Sequence, residues 1–269
     1  MTGTVSIKEC AERLGVHYMT AYRYIRLGRL PATKVGAEWR VLSSDLETLL
    51  ADAAIPEGRC PVDWSARLED RLLAGDEHGA WAVVEAGLAS GLSPTAVHVD
   101  ILAQALVRIG AGWHAGGVTI AEEHRATAVA TKIVGRLGMR FARRGRRRGR
   151  VVIGTPPGER HSLSVAIVAD LIRGAGWEVV ELGVDLPIDE FVSAVEKSAP
   201  VTVIAVSVGS SANLMEARDL ITSLKDSILA PVIIGGAAVN ASTYTGLGAD
   251  GWASDGRAAI EAVAALSAR

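Results

Sequence analysis

Apolar and polar positions follow three rhythms along the chain, and the rhythm changes twice. Residues 1–52 hold short helical patterns around a hairpin. Ser6 stands where it caps a helix running through about Leu14, which Gly15 stops. A second helix is predicted from about His17 to Arg26, ended by Leu27-Gly28. Leu30 to Val41 reads as a hairpin with a glycine in its turn, Gly36. Ser44 caps a third helix through Leu50, with Asp45 and Glu47 in its first turn. Ala53 to Arg59 then breaks all periodicity with Pro56 and Gly58, as a linker does.

Residues 62–142 predict a four-helix bundle. The first two helices break near Gly75 and Gly91, and Ser93-Pro94 opens the third in cap-then-proline order. Its apolar stripe is Val97, Ile101, Ala105, Ile109 and Trp113, each four residues on, and Gly116-Gly117 ends it. Thr119 is placed to cap the fourth, with Glu122 as its capping-box partner.

From 150 to 269 the pattern becomes strand and helix in alternation. Val151–Gly154, Glu178–Leu182, Val201–Ser207 and Pro231–Gly235 are β-branched runs. Amphipathic stretches near 162–174, 188–197 and 212–227 separate them, and a last helix covers about 256–267. This order predicts a doubly wound, Rossmann-like parallel sheet covered on both faces. The fold class is therefore multidomain, α followed by α/β.

Charge adds a local signal to this frame. The net charge of -2 gives no general reason to expect nucleic acid, yet residues 1–50 carry seven Lys or Arg against five acids. Two helices, a tight turn and a hairpin wing form a winged helix-turn-helix, whose second helix enters the major groove. That helix offers Tyr18, Thr20, Arg23, Tyr24 and Arg26 to bases and phosphates of an operator DNA, and the wing offers Lys34 and Arg40. The pattern from Ser6 through Val16, on to Arg23-Tyr24-Ile25 and the wing, resembles the DNA-binding domain of MerR-family and excisionase-type proteins. The alternative is a helical hairpin used for protein contact. A second basic run, seven Arg within 140–150, reads as a solvated linker or an added phosphate patch.

Cys10 and Cys60 stand far apart, so neither a disulfide framework nor a zinc site is expected. No signal peptide or run of ~20 apolar residues is present, and a cytoplasmic chain without a membrane span is expected.

The candidate chemistry sits at the ends of the predicted strands, where open parallel sheets bind ligands. After Gly154 comes a loop carrying Glu159 and His161. An imidazole there is able to coordinate a metal, with a carboxylate two residues away to take its other ring N–H. A lone loop histidine is more often a solvated or capping residue. Ser207 and Gly209 end the third strand, and Gly235-Gly236 end the fourth. Paired glycines let a backbone approach a bulky ligand, although an ordinary strand-to-helix turn uses them too. In the bundle, Trp113-His114 closes the third helix and Glu123-His124 lies early in the fourth. From spacing alone Trp113 is core filler, and Glu123 and His124 are a solvated helix start.

The sheet motifs together resemble the cobalamin-binding fold of methionine synthase and the mutases, whose pattern is Asp-x-His-x-x-Gly, Ser-x-Leu and Gly-Gly. Here Glu159 replaces Asp, Ser164 replaces Gly and Gly209 replaces Leu. The resemblance implies that His161 is the lower axial ligand of cobalt, with the nucleotide tail passing Ser207 and the glycine pair. The Trp113, nine-residue, Glu123-His124 pattern and the domain order are similar to CarH-type (LitR-type) photoreceptors. That resemblance implies 5′-deoxyadenosylcobalamin with Trp113, Ile120, Glu123 and His124 around its adenosyl group. It implies His114 as a cobalt ligand after light, a dark homotetramer on operator DNA, and repression lifted by illumination. No catalytic residue is expected. The competing readings are a corrinoid methyl carrier, a regulator answering cobalamin without light, and a regulator that has lost its ligand.

Overall fold

The computed structural model describes residues 3–14, 18–26, 28, 30–36, 38–53, 62–142 and 145–268, in two compact units divided after Val62. The first unit runs β1 (Thr4–Ser6), α1 (Ile7–Leu14), α2 (Tyr18–Arg26), β2 (Thr33–Val35), β3 (Glu38–Leu42) and α3 (Ser43–Ala53). Ser6 caps α1 as its position predicts, its Oγ accepting from Glu9 N at 3.3 Å. Val35 pairs with Glu38, and Gly36 takes φ +64°, the left-handed backbone that two-residue hairpin loops demand. The sequence pattern missed β1, which adds to the hairpin in the order β1-β3-β2. Cys10, Leu30, Val41 and Leu46 form the buried centre. Cys10 is a free thiol whose pKa burial pushes up; Cys60 and the predicted linker at 54–59 lie outside the described residues.

The second unit opens with α4 (Trp64–Ala74) and α5 (Glu77–Ala89), capped by Asp63 and Asp76. Gly75 at φ 72° ends α4, as its position predicts. The third helical stretch is not regular: α6 (Pro94–Ala96) passes through a π-helical turn, Val97–Leu102, into α7 (Ala103–His114). Val97, Ile101, Ala105 and Ile109 are buried as the stripe predicts, but Trp113 is 44% exposed. Trp113 lies in the last turn of α7, past the core, so it is not the core filler its spacing suggests. Thr119 and Glu122 form the expected capping box at the start of α8 (Ile120–Gly138).

The α/β part then runs β4 (Arg150–Gly154), α9 (Ser162–Gly174), β5 (Glu178–Gly183), α10 (Ile188–Lys197), β6 (Val203–Ser207), α11 (Leu214–Ser227), β7 (Val232–Gly235), β8 (Gly251–Ala253) and α12 (Gly256–Leu266). All pairs are parallel, in the order β5-β4-β6-β7-β8. Successive side chains alternate faces. Val151 and Ile153 of β4 therefore join the core with Trp177 and Val263, while Val152 joins the core with Phe191 and Leu220. The chain crosses from β5 back past β4 to β6, so the sheet's switch point lies between β4 and β6, outside their carboxyl ends. The helices α4 to α8, a helical cap, share a core with this part: Ile167 and Leu171 of α9 pack with Leu102, Ile133 and Leu137.

In the basic run, Arg146 and Arg147 are exposed, but Arg148 lies over the Trp177 ring at 4.8 Å and Arg150 pairs with Glu178 at 2.9 Å. Arg143 and Arg144 lie outside the described residues. Two arginines of the predicted solvated linker are thus tied to the α/β part. Among the described residues no helix is long and apolar enough to cross a membrane.

Candidate ligand site

Glu159 is the anchor of the loop after β4. Its carboxylate is 1% exposed and accepts from Gly209 N at 2.7 Å, Ser210 N at 2.9 Å and Asn213 Nδ2 at 3.1 Å. Its other oxygen accepts from His161 N at 3.1 Å and contacts the His161 ring at Nδ1. Burial alone raises the pKa of a carboxyl. Here the hydrogen bonds from Ser210 N, the His161 ring, Asn213 and His161 N outweigh it and hold Glu159 at about 2. An ionised carboxylate only accepts, so His161 Nδ1 is the donor. With Nδ1 engaged, Nε2 points away from Glu159 on a side chain 65% exposed, and in the unprotonated form of the ring it carries the lone pair a metal would take.

The loop is braced from outside. Thr155 Oγ1 donates to Glu159 O at 2.8 Å, and Asp185 N donates to the same carbonyl at 2.9 Å. The imidazole lies against Gly209, where a Cβ would stand 2.7 Å from Nδ1. Ser207 behaves differently from the expectation. Its hydroxyl is nearly buried and meets Ser164 Oγ at 3.0 Å, so a neighbouring serine already engages the group expected to meet a ligand.

The glycine pair is demanded by close backbone approach. Gly236 sits at φ +110°, and a Cβ there would press into the Val208 peptide, 2.7 Å from its carbonyl carbon. A Cβ at Gly235 would stand 3.0 Å from Ala253 O. Beside these glycines a cavity of about 290 Å³ opens between the sheet's carboxyl edge and the cap. Ser207, Gly235 and Gly236 line it from the sheet, and Val99, Ala103 and Val107 from the cap. At 100° per residue, His114 stands seven residues beyond Val107 on the same face of α7.

The other predicted cap residues gather at the turn from α7 to α8. Trp113 and His114 meet edge to face at 4.6 Å, and His114 Nδ1 bonds Gly110 O at 2.8 Å. Glu123 accepts from Thr127 Oγ1 at 2.8 Å and lies 3.7 Å from His124 Nε2. Ile120 and His124 are exposed. In the first unit Tyr18 and Lys34 are exposed, whereas Tyr24 is half-buried and packs on the core of Cys10 and Leu30. Arg40 is half-buried on β3. The side chains of Thr20, Arg23 and Arg26 lie outside the described residues.

Sequence reasoning missed Asn213. No local signal marks it; only the return of the β6 loop over Glu159 brings it there. Among the described residues no cluster of three or more His, Cys, Asp or Glu side chains could hold a metal ion unaided.

Residues 149–264 match the model of a B12 binding domain, residues 64–137 match a second model of that description, and residues 4–54 match a helix-turn-helix domain. The dimethylamine corrinoid protein 2 of Methanosarcina mazei is 28% identical over 191 residues, 66% of this chain and 78% of the relative. The trimethylamine corrinoid protein 1 of Methanosarcina acetivorans is 28% identical over 193 residues, 69% of this chain and 88% of its own. The solved monomethylamine corrinoid protein of Methanosarcina barkeri superposes with a TM-score of 0.67 at 18% identity, over 75% of this chain and 96% of its own, a likeness of fold. These matches support a corrinoid-binding chain that carries a helix-turn-helix domain in residues 4–54.

Proposed function

We propose that the chain is a DNA-binding regulator that answers to a bound cobalamin. The observation that carries the reading is His161, its Nδ1 held by a buried, ionised Glu159 and its Nε2 free, at the sheet's switch point. The residues fit the group. An exposed imidazole with a fixed tautomer suits an axial metal ligand, and the backbone at Gly235-Gly236 leaves room for one arm of a large cofactor. When bound, cobalamin supplies a cobalt centre with a labile upper bond. His161 would hold it from below, Glu159 would orient His161, and Ser207, Gly235 and Gly236 would receive the nucleotide tail.

The likeness to CarH-type photoreceptors gives the reading a finer form. Adenosylcobalamin would seat under Trp113, Ile120, Glu123 and His124, His114 would bind cobalt after light, and a dark tetramer would hold operator DNA through winged helices. The exposure of Trp113 and Ile120 supports it, because both leave apolar surface open at the turn from α7 to α8. A second reading, a corrinoid methyl carrier, is favoured by the names of the relatives. It leaves the helix-turn-helix domain without a task.

The test loads the full chain with adenosylcobalamin in the dark and measures its visible spectrum, DNA retention and size before and after green light. The regulator reading expects pigment retention and DNA binding that changes with the cofactor. A size change on illumination supports the photoreceptor form. Pigment with cofactor-indifferent DNA binding transfers the case to the carrier. His161→Ala should lose the axial nitrogen signature from the spectrum.

A further inference from the structure

The seam between cap and sheet is built on the π-helical turn. His98 is 0% exposed, and its Nε2 meets Asp170 Oδ2 of α9 at 3.2 Å. Two residues on, Asp100 accepts from the two terminal guanidinium nitrogens of Arg257, at the start of α12, at 2.7 Å each. Val99 stands between them and lines the cavity. In an α-helix three consecutive residues sweep 200°. A π turn carries an extra residue per turn and narrows that sweep. It lets His98 and Asp100 both reach the α/β part while Val97, Ile101 and Leu102 stay in the cap core.

The surroundings are cut to this joint. A Cβ at Gly138 would stand 2.9 Å from the Asp170 carboxylate, so the end of α8 makes room for it. Phe141 stacks on the His98 ring at 4.8 Å, and Arg173 holds the second Asp170 oxygen at 3.2 Å while pairing with Glu181. His98 Nδ1 is buried without a partner among the described residues, so Asp170 supplies the one hydrogen bond that holds the ring.

We propose that the turn Val97–Leu102 is a clasp that couples seating of the helical cap to occupancy of the cavity. His98 and Asp100 grip the α/β part on either side of Val99, so the clasp holds the helical wall of the cavity against an arm of a ligand lodged there. This rests on the cobalamin reading and adds its control of retention. The arm is the nucleotide tail, an extended phosphodiester with its base.

The experiment measures release of cobalamin, and of cobinamide, which lacks that tail, from the full chain. The variants are Asp100→Asn, Arg257→Gln and the reversed pair Asp100→Arg with Arg257→Asp. Each single variant should release cobalamin about two- to fivefold faster, the reversed pair should restore slow release, and cobinamide release should stay unchanged. His98→Gln should act in the same direction; because it is buried, the exposed Asp100 and Arg257 variants keep the test independent of folding. In ligand-free protein, nitroxides on Glu85→Cys and Asp226→Cys, with Cys60→Ser, should show a broader distance distribution in the single variants. Unchanged release and an unchanged distribution overturn the clasp. Equal acceleration of cobinamide overturns its link to the cavity. A wild-type chain that takes up no corrinoid sinks the cofactor reading instead.

Discussion

Gly209→Ala isolates the hold on His161 from the rest of the fold. Gly209 does not sit in the left-handed region, so alanine suits its backbone, and the nearest atoms to a new Cβ all belong to His161. The Cβ would stand 2.7 Å from Nδ1 and 3.0 Å from Cγ, so the ring must retreat about 0.7 Å to reach ordinary contact at 3.4 Å. A retreat of that size lengthens and misaligns the Nδ1 contact with Glu159, loosening its hold on the ring without removing it. The ring is 65% exposed and swings into water, so solvent screening keeps the loss of fold stability below about 1 kcal/mol. Metal ligation is hit harder, because removing the carboxylate that orients a ligating histidine costs roughly 10–100-fold in affinity. Two assays separate the effects: urea unfolding of the ligand-free chain, and titration with hydroxocobalamin followed by visible absorption. A loss of stability beyond about 2 kcal/mol would mean that the loop backbone, not the ring, needs glycine there. Affinity within threefold of wild type, with the axial nitrogen still on cobalt, would refute the role assigned to Glu159 and Gly209.

Gly236→Ala should act the opposite way. Its Cβ meets backbone rather than a mobile ring, at φ +110°, so unfolding of the ligand-free chain should be easier by at least ~2 kcal/mol. Glu159→Gln should keep the chain folded yet weaken cobalt ligation about tenfold or more, because an amide is a poorer acceptor for the imidazole N–H and brings a donor among donors. The hydrogen bonds from Arg257, opposed by slight burial, hold Asp100 below the usual carboxylate range. A lowered folded-state pKa stabilises above the unfolded value and loses that contribution as pH falls through the folded one. The stability gap between wild type and Arg257→Gln should therefore be largest near neutrality and close below about pH 4, as urea unfolding at several pH values would register. Thr119→Ala should cost about 1 kcal/mol and speed amide exchange in the first turn of α8, where Thr119 and Glu122 cap each other.

Where residues act through near neighbours, the sequence was readable. The Thr119 cap, the Gly75 stop and the spans of α9 and α10 follow from local chemistry, and the structure repeats them. The pairing of Glu159 with His161 was legible because two residues of loop separate them. The rest depended on distant chain. β8 is three residues, Gly251-Trp252-Ala253, too short for any period, and exists because β7 offers it an edge. Trp113 completes a perfect i+4 series yet stands outside the core, since periodicity gives a face but not where the packing ends. The π turn leaves no mark in composition; contacts with Asp170 and Arg257, some seventy and more than one hundred and fifty residues away, coincide with it.

The three departures from the cobalamin motif form one arrangement. A glutamate at 159 carries one methylene more than aspartate, which lets a single carboxylate span His161 on one side and the Gly209 and Ser210 amides on the other. Drawn that way, the imidazole lies across residue 209, and a leucine side chain there would occupy the volume of the ring. Glycine at 209 suits this position of the ring, and the two departures are compatible as a pair. Ser164 follows the same logic, since its hydroxyl caps the His161 carbonyl at 2.8 Å and meets Ser207 at 3.0 Å. It fixes the loop from the helix side while Glu159 fixes it from the sheet side. Restoring the motif one residue at a time should then fail: with Glu159 in place, Gly209→Leu displaces the ring, and with Gly209 in place, Glu159→Asp shortens the reach to one of its two sets of donors. The double substitution should recover more His161 ligation than either single one, a coupling that a double-mutant cycle on cobalamin affinity reads directly. Additive losses would show that the departures arose independently and that the longer acid does not set the position of the ring.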